Sequence, residues 1–212
     1  MSATSILIAY ILLATSHCLL ADRKATFRLV TKPILMPVLI LYYLLSGGDN
    51  NWVYLALIGA WVGDIALLKF SQRAVITGLV SFLAGHIAMV LAIYGLIPTT
   101  AEIPWTGIII AKLSLAIGAF WYLKPHLGSL KPAVLIYCLV LASKGIVAVG
   151  LLLAVNSNAA LMVAMGALIF MLSDLLLAIN RFAMSINKAH LWVMSTYTTA
   201  QALIVTGILL VG

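Results

Sequence analysis

The sequence predicts an all-α, polytopic integral membrane protein: a bundle of eight transmembrane helices forming a single domain over residues 1–212. Three observations lead there. Of the 212 residues, 65% are hydrophobic and only 8% charged, a balance foreign to soluble domains. The apolar stretches are long enough to cross a bilayer, and the linkers between them are too short to fold. The cations fall between alternate stretches, as they do in membrane proteins of fixed orientation.

The expected spans are 3–21, 32–46, 52–70, 74–97, 104–123, 131–154, 159–180 and 189–211. The first lacks a basic leader and a small-residue cleavage site, so it reads as a retained span and not as a signal peptide. The second is short; Pro33 suits its start, and Pro37 suits a kink or tilt. A GGDNN turn precedes the third, PTTAEIP precedes the fifth, and NSN precedes the seventh.

Arg23, Lys24, Arg28 and Lys32 follow span one, and Lys69 and Arg73 follow span three. Lys124 and Lys131 follow span five, and Arg181 and Lys188 follow span seven. The loops after spans two, four and six carry no Lys or Arg. The positive-inside rule places the basic loops in the cytoplasm and both termini on the non-cytoplasmic side. A net charge of +7 distributed in this way is a topology signal, and no nucleic-acid partner is expected. In a bacterium the location is the inner membrane. Cys18 and Cys138 fall inside spans and have no metal-ligand spacing.

Two aspartates break the apolar pattern. Asp64 lies in WVGDIALLKF and Asp174 in MLSDLLLAINRF. A carboxylate at such a position costs roughly 3 kcal/mol on insertion scales, so it marks a functional site by default. Counting back from Lys69 and Arg181 places both about 8–10 Å inside the cytoplasmic boundary. Their contexts match: Gly63-Asp64-x-x-Leu67-Leu68 against Ser173-Asp174-x-x-Leu177-Ala178, each followed by a cation and a Phe (Phe70, Phe182). The spacing of four spans points to a parallel 4+4 internal repeat.

The other polar positions are Lys32, His86, Tyr137, Lys144, Tyr197 and Gln201, with Lys112 in span five. Tyr137 and Lys144 are seven apart on one helix face, and Tyr197 and Gln201 are four apart on another. Each has a structural reading beside the functional one. His86 fits a neutral imidazole bonded across helices, and Gln201 fits inter-helix glue. Tyr137 and Tyr197 fit core aromatics with satisfied hydroxyls. Lys112 fits a snorkelling side chain, and Lys32 an interfacial anchor. Lys144 and Lys32 fit counter-ions of the aspartates, which then serve structure alone. A straight-helix count puts Tyr137 level with the aspartates, and His86, Lys144 and Gln201 roughly 10 Å above them.

These pieces, in their order, resemble the YhhN family of membrane lysoplasmalogenases. The resemblance is carried by Thr31-Lys32-Pro33, Gly63-Asp64, Phe82-x-x-Gly85-His86, Tyr137, Ser173-Asp174-x-x-Leu177-Ala178 and Tyr197-x-x-x-Gln201. It implies hydrolysis of the vinyl-ether bond of a lysophospholipid to a fatty aldehyde and glycerophosphoethanolamine or glycerophosphocholine. It also implies Asp64 and Asp174 as the catalytic acids. The polar residues Lys32, His86, Tyr137, Lys144, Tyr197 and Gln201 are candidates to support the site or bind substrate. It implies no metal and no organic cofactor. Intramembrane Asp, His and Lys also suit a proton- or cation-coupled transporter, or a lipid-binding protein without catalysis.

Overall fold

The computed structural model describes residues 2–21, 25–69 and 71–212. Among these the chain forms eight α-helices and no strand: α1 (Ala3–Leu20), α2 (Ala25–Leu45), α3 (Asn51–Ala66), α4 (Gln72–Tyr94), α5 (Trp105–Leu123), α6 (Lys131–Val155), α7 (Asn158–Ala178) and α8 (Ala189–Val211). Seven are long and apolar enough to cross a membrane, and α3 is a shorter apolar helix. This is a multi-pass membrane protein. The cations Arg23 and Lys24, and Phe70 of the first aspartate motif, lie outside the described residues.

Local chemistry starts and stops these helices. The side chains of Ser2, Asn50 and Ser157 accept hydrogen bonds from backbone N–H groups in the first turns of α1, α3 and α7. Asn156 closes α6 in the left-handed conformation, its N–H donating to the Leu152 carbonyl. Outward faces are apolar: Leu12, Val80, Ile110, Leu153, Leu168 and Leu210 are all more than half exposed. Such a surface suits lipid and not water.

Two boundaries differ from expectation in ways that matter for the site. α2 begins at Ala25 rather than at 32, so Pro33 and Pro37 are both interior. A proline demands only that its missing N–H and ring be accommodated, and α3 provides the compensation described below. α3 ends at Ala66 rather than at 70. Leu68 and Lys69 donate to the carbonyls of Ile65 and Ala66, three residues back, a tightening typical of a helix end. Asp64 therefore sits in the last turn of a helix about 24 Å long.

The chain divides into two compact units, residues 1–92 and 93–212. In the first, α2 and α3 form a hairpin whose turn is stapled by two tyrosines. Tyr43 and Tyr54 pack edge to face at 5.1 Å, Tyr54 donates to the Gly48 carbonyl, and the Asn50 N–H donates to the Tyr43 hydroxyl. Gly47 takes φ +82° in this turn, which a side chain would strain. α3 and α4 touch backbone to backbone, because a Cβ on Gly59 would lie 2.9 Å from the Gly85 Cα.

In the second unit, α7 and α8 pack just as closely. A Cβ on Gly166 would lie 3.0 Å from the Ala200 carbonyl oxygen, and one on Gly207 would lie 2.8 Å from that of Ala159. Backbone cannot yield as a side chain can. Gly207→Ala is expected to cost about 1–3 kcal/mol. Gly107→Ala on α5, where nothing lies within 4 Å, is expected to be neutral or mildly stabilising. Thermal unfolding of the two variants in detergent checks the contrast; equal melting temperatures refute it.

Candidate functional site

Eight polar or charged residues are buried among those described: His17, Thr31, Asp64, His86, Lys144, Ser173, Thr198 and Gln201. Four of them belong to the expected site. The expected residues divide between the units, with Lys32, Asp64 and His86 in the first and Tyr137, Lys144, Asp174, Tyr197 and Gln201 in the second.

In the first unit, Asp64 is 2% exposed, and the Lys32 ammonium stands 3.4 Å from its Oδ1. This neutralises a charge that could not be left alone among apolar helices. The residues flanking the pair explain the surrounding motifs. Gly63 has no Cβ, and the Phe82 ring occupies the space a Cβ would take. Gly85 lets α4 lie against Ala56 and Ala60 of α3. His86 follows on α4 and is buried. Thr31, next to Lys32, donates its hydroxyl to the Phe27 carbonyl at 2.7 Å. Its oxygen is 2.6 Å from His17 Nδ1, so His17 must be the donor there.

His17 and Tyr10, outside the expected site residues, are 0% and 1% exposed. They are seven apart on α1, the same spacing that singled out Tyr137 and Lys144. Tyr10 also lies within electrostatic reach of Asp64. Applying the seven-residue rule to the first span would have found both. Trp61, on the face of α3 that carries Asp64, was missed as well. Its indole N–H donates to the Pro33 carbonyl at 2.8 Å.

In the second unit, Asp174 is half-buried, and its Oδ2 accepts a hydrogen bond of 2.7 Å from the Tyr137 hydroxyl. The neighbouring Ser173 donates to the Val193 carbonyl at 2.9 Å, which ties α7 to α8 beside the acid. One turn back along α7, the Lys144 ammonium sits 3.4 Å from the Phe170 ring centroid, a cation–π contact. Phe170 in turn meets Tyr197 edge to face at 5.5 Å. Gln201 is buried one turn beyond Tyr197, and its Oε1 has no hydrogen-bond partner among the described residues.

One expectation changes here. Lys144 is not a full 10 Å tier away from Asp174. The helix rise puts Phe170 only about 6 Å from Asp174 along α7. The long lysine stem brings its charge within electrostatic reach of that acid. The Lys112 stem lies against Gly145 of α6, its Cδ and Cε 3.4 and 3.5 Å from where a Cβ would stand. No group of three or more His, Cys, Asp or Glu able to hold a metal occurs among the described residues.

The model of the YhhN family matches residues 27–208. Lysoplasmalogenase TMEM86A of Bos taurus and that of Homo sapiens are each 29% identical to this chain over 166 residues, covering 76% of it and 67% of theirs. No solved structure matches.

Removing one partner of a buried ion pair costs more than removing both. Lys32→Met is expected to destabilise the protein by about 3–5 kcal/mol, and adding Asp64→Asn should recover part of that. Denaturation of the single and double variants measures it; additive losses would show that the two side chains do not interact.

Proposed function

The chain belongs to the YhhN family, and on that footing we propose that it is an intramembrane hydrolase of the lysoplasmalogenase type. Its substrate would be a lysophospholipid taken from the membrane, and its products a fatty aldehyde and glycerophosphoethanolamine or glycerophosphocholine. The observation that carries the reading concerns the two matched aspartates. Each sits on the third helix of its unit, held by a polar partner from the second: Lys32 for Asp64, Tyr137 for Asp174. This parallel also supports a 4+4 repeat within one transmembrane domain. We place the basic loops in the cytoplasm and both termini outside, by the charge distribution.

The chemistry follows from the substrate. A vinyl ether is cleaved by protonation at the carbon remote from oxygen, which leaves an oxocarbenium ion. Water adds to that ion, and the hemiacetal collapses to aldehyde and alcohol; the net reaction consumes one water. One carboxylic acid gives the proton, and one carboxylate stabilises the cation or takes a proton from water, as in paired-acid glycoside hydrolysis. An ion pair with Lys32 requires Asp64 as a carboxylate, which suits the second role. Asp174 is assigned the part of the acid, its orientation fixed by the Tyr137 hydroxyl that donates to Oδ2. The Lys32 ammonium has three donors, so pairing with Asp64 leaves it others for the lipid phosphate. His86 in the first unit, and Lys144, Tyr197 and Gln201 in the second, are taken as supporting residues for the acid of their own unit.

Purified protein in detergent should release aldehyde from ethanolamine and choline lysoplasmalogens, but not from ester lysolipids. Release without any membrane gradient separates a hydrolase from a coupled transporter. Asp64→Asn and Asp174→Asn should each lower the rate by about 10²-fold or more while the protein stays folded. The double variant should lose little beyond either single one, because both act in one reaction. Near-normal turnover in both single variants would falsify the carboxylate mechanism.

A further inference from the structure

α2 runs unbroken through two prolines. Pro37 has no N–H, so the carbonyl of Pro33, four residues earlier, receives no donor from its own helix. Inside a membrane, water does not make good such a loss. The Trp61 indole N–H makes it good from α3, at 2.8 Å. Trp61 stands three residues before Asp64, on the same face of α3, and Lys32 stands directly before Pro33. α3 therefore grips consecutive residues of α2 twice: indole on the Pro33 carbonyl, carboxylate on the Lys32 ammonium.

The two grips differ in kind. A lysine stem is long and rich in rotamers, so an ammonium can follow its carboxylate through sizeable shifts of one helix along the other. The indole is planar, turns about two bonds only, and holds a main-chain atom. It can be satisfied only in a narrow range of registers. Catalytic groups need placement to about 0.5 Å, which the lysine contact cannot enforce by itself.

We propose that Trp61 is a positioning residue. By filling the hydrogen bond that Pro37 leaves open, it sets the register of α2 on α3, and with it the place of the Lys32 ammonium against Asp64. Pro37 and Trp61 are one device: the proline exposes an acceptor, and the indole uses it as a fixed point. The role in turnover rests on the hydrolase reading above, whereas the effect on the Lys32–Asp64 pair does not.

The experiment is a set of variants of the full chain, purified in detergent. Trp61→Phe keeps a ring but has no N–H. Its kcat for aldehyde release, per folded molecule, should fall about tenfold with KM changed less than about threefold, the pattern of a lost transition-state interaction. Trp192→Phe, at an exposed tryptophan of α8, should change neither. The coupling between Lys32→Met and Asp64→Asn, read from a double-mutant cycle of unfolding, should shrink by about half or more in the Trp61→Phe background. A residue that merely packed two helices would lower the melting temperature and leave both kcat and coupling intact.

Pro37→Ala added to Trp61→Phe gives the Pro33 carbonyl a donor again. Stability should return to near that of Pro37→Ala, but kcat and coupling should not, because an intrahelical bond carries no register. Should Trp61→Phe fail to fold, this double variant carries both measurements. The proposal is overturned by a Trp61→Phe enzyme, or by its double variant, with kcat within about twofold of its parent and coupling unchanged. If the wild type releases no aldehyde, the hydrolase reading fails and the coupling alone decides: halved, it supports the positioning role; kept, it overturns it.

Discussion

A carboxylate enclosed by apolar helices must bring its partner with it. Asp64 is almost wholly buried and faces the Lys32 ammonium at 3.4 Å, and much of the first unit follows from that pairing. The pair fixes which faces of α2 and α3 meet. The tyrosine staple at the Gly47–Asn50 turn fixes one end of the same hairpin, and the indole of Trp61 fixes its middle. α4 can then press onto the back of α3 only because Gly59, Gly63 and Gly85 carry no side chains there.

The second unit solves the same problem with different chemistry. Asp174 is half-buried, and the group that reaches it from the preceding helix is the Tyr137 hydroxyl. Its nearby cation, Lys144, rests on the Phe170 ring. Two acids in matching sequence contexts thus stand in unlike surroundings. Unlike surroundings of this kind suit the two different roles proposed for them. The packing differs too: α7 and α8 are joined along Gly166 and Gly207, and Ser173 fastens them beside the acid.

The helices and several buried polar positions were legible because lipid leaves little choice. A charge or amide in a long apolar run has to turn inward, and Asp64, His86, Lys144 and Gln201 are all buried. His17 and Tyr10 obey the same rule and were readable by it. Trp61 was not readable, because tryptophan is at home in any membrane span. Only the carbonyl it meets, on a helix 28 residues away in sequence, gives it meaning. Pro33 misled as a helix start for a related reason: α2 already runs from Ala25, and the carbonyl that its interior prolines leave open is answered from α3.

By itself the sequence determined the all-helical class, the approximate spans and the two acids around which a function can be built. These depend on composition and period, which each segment carries within itself. Tertiary structure alone decided which group answers each acid: Lys32 for Asp64, Tyr137 for Asp174, and Phe170 for the Lys144 charge. It also decided that α2 passes through its prolines intact. Those outcomes depend on helix register and on side-chain reach, and both are set when neighbouring helices pack rather than by any segment alone.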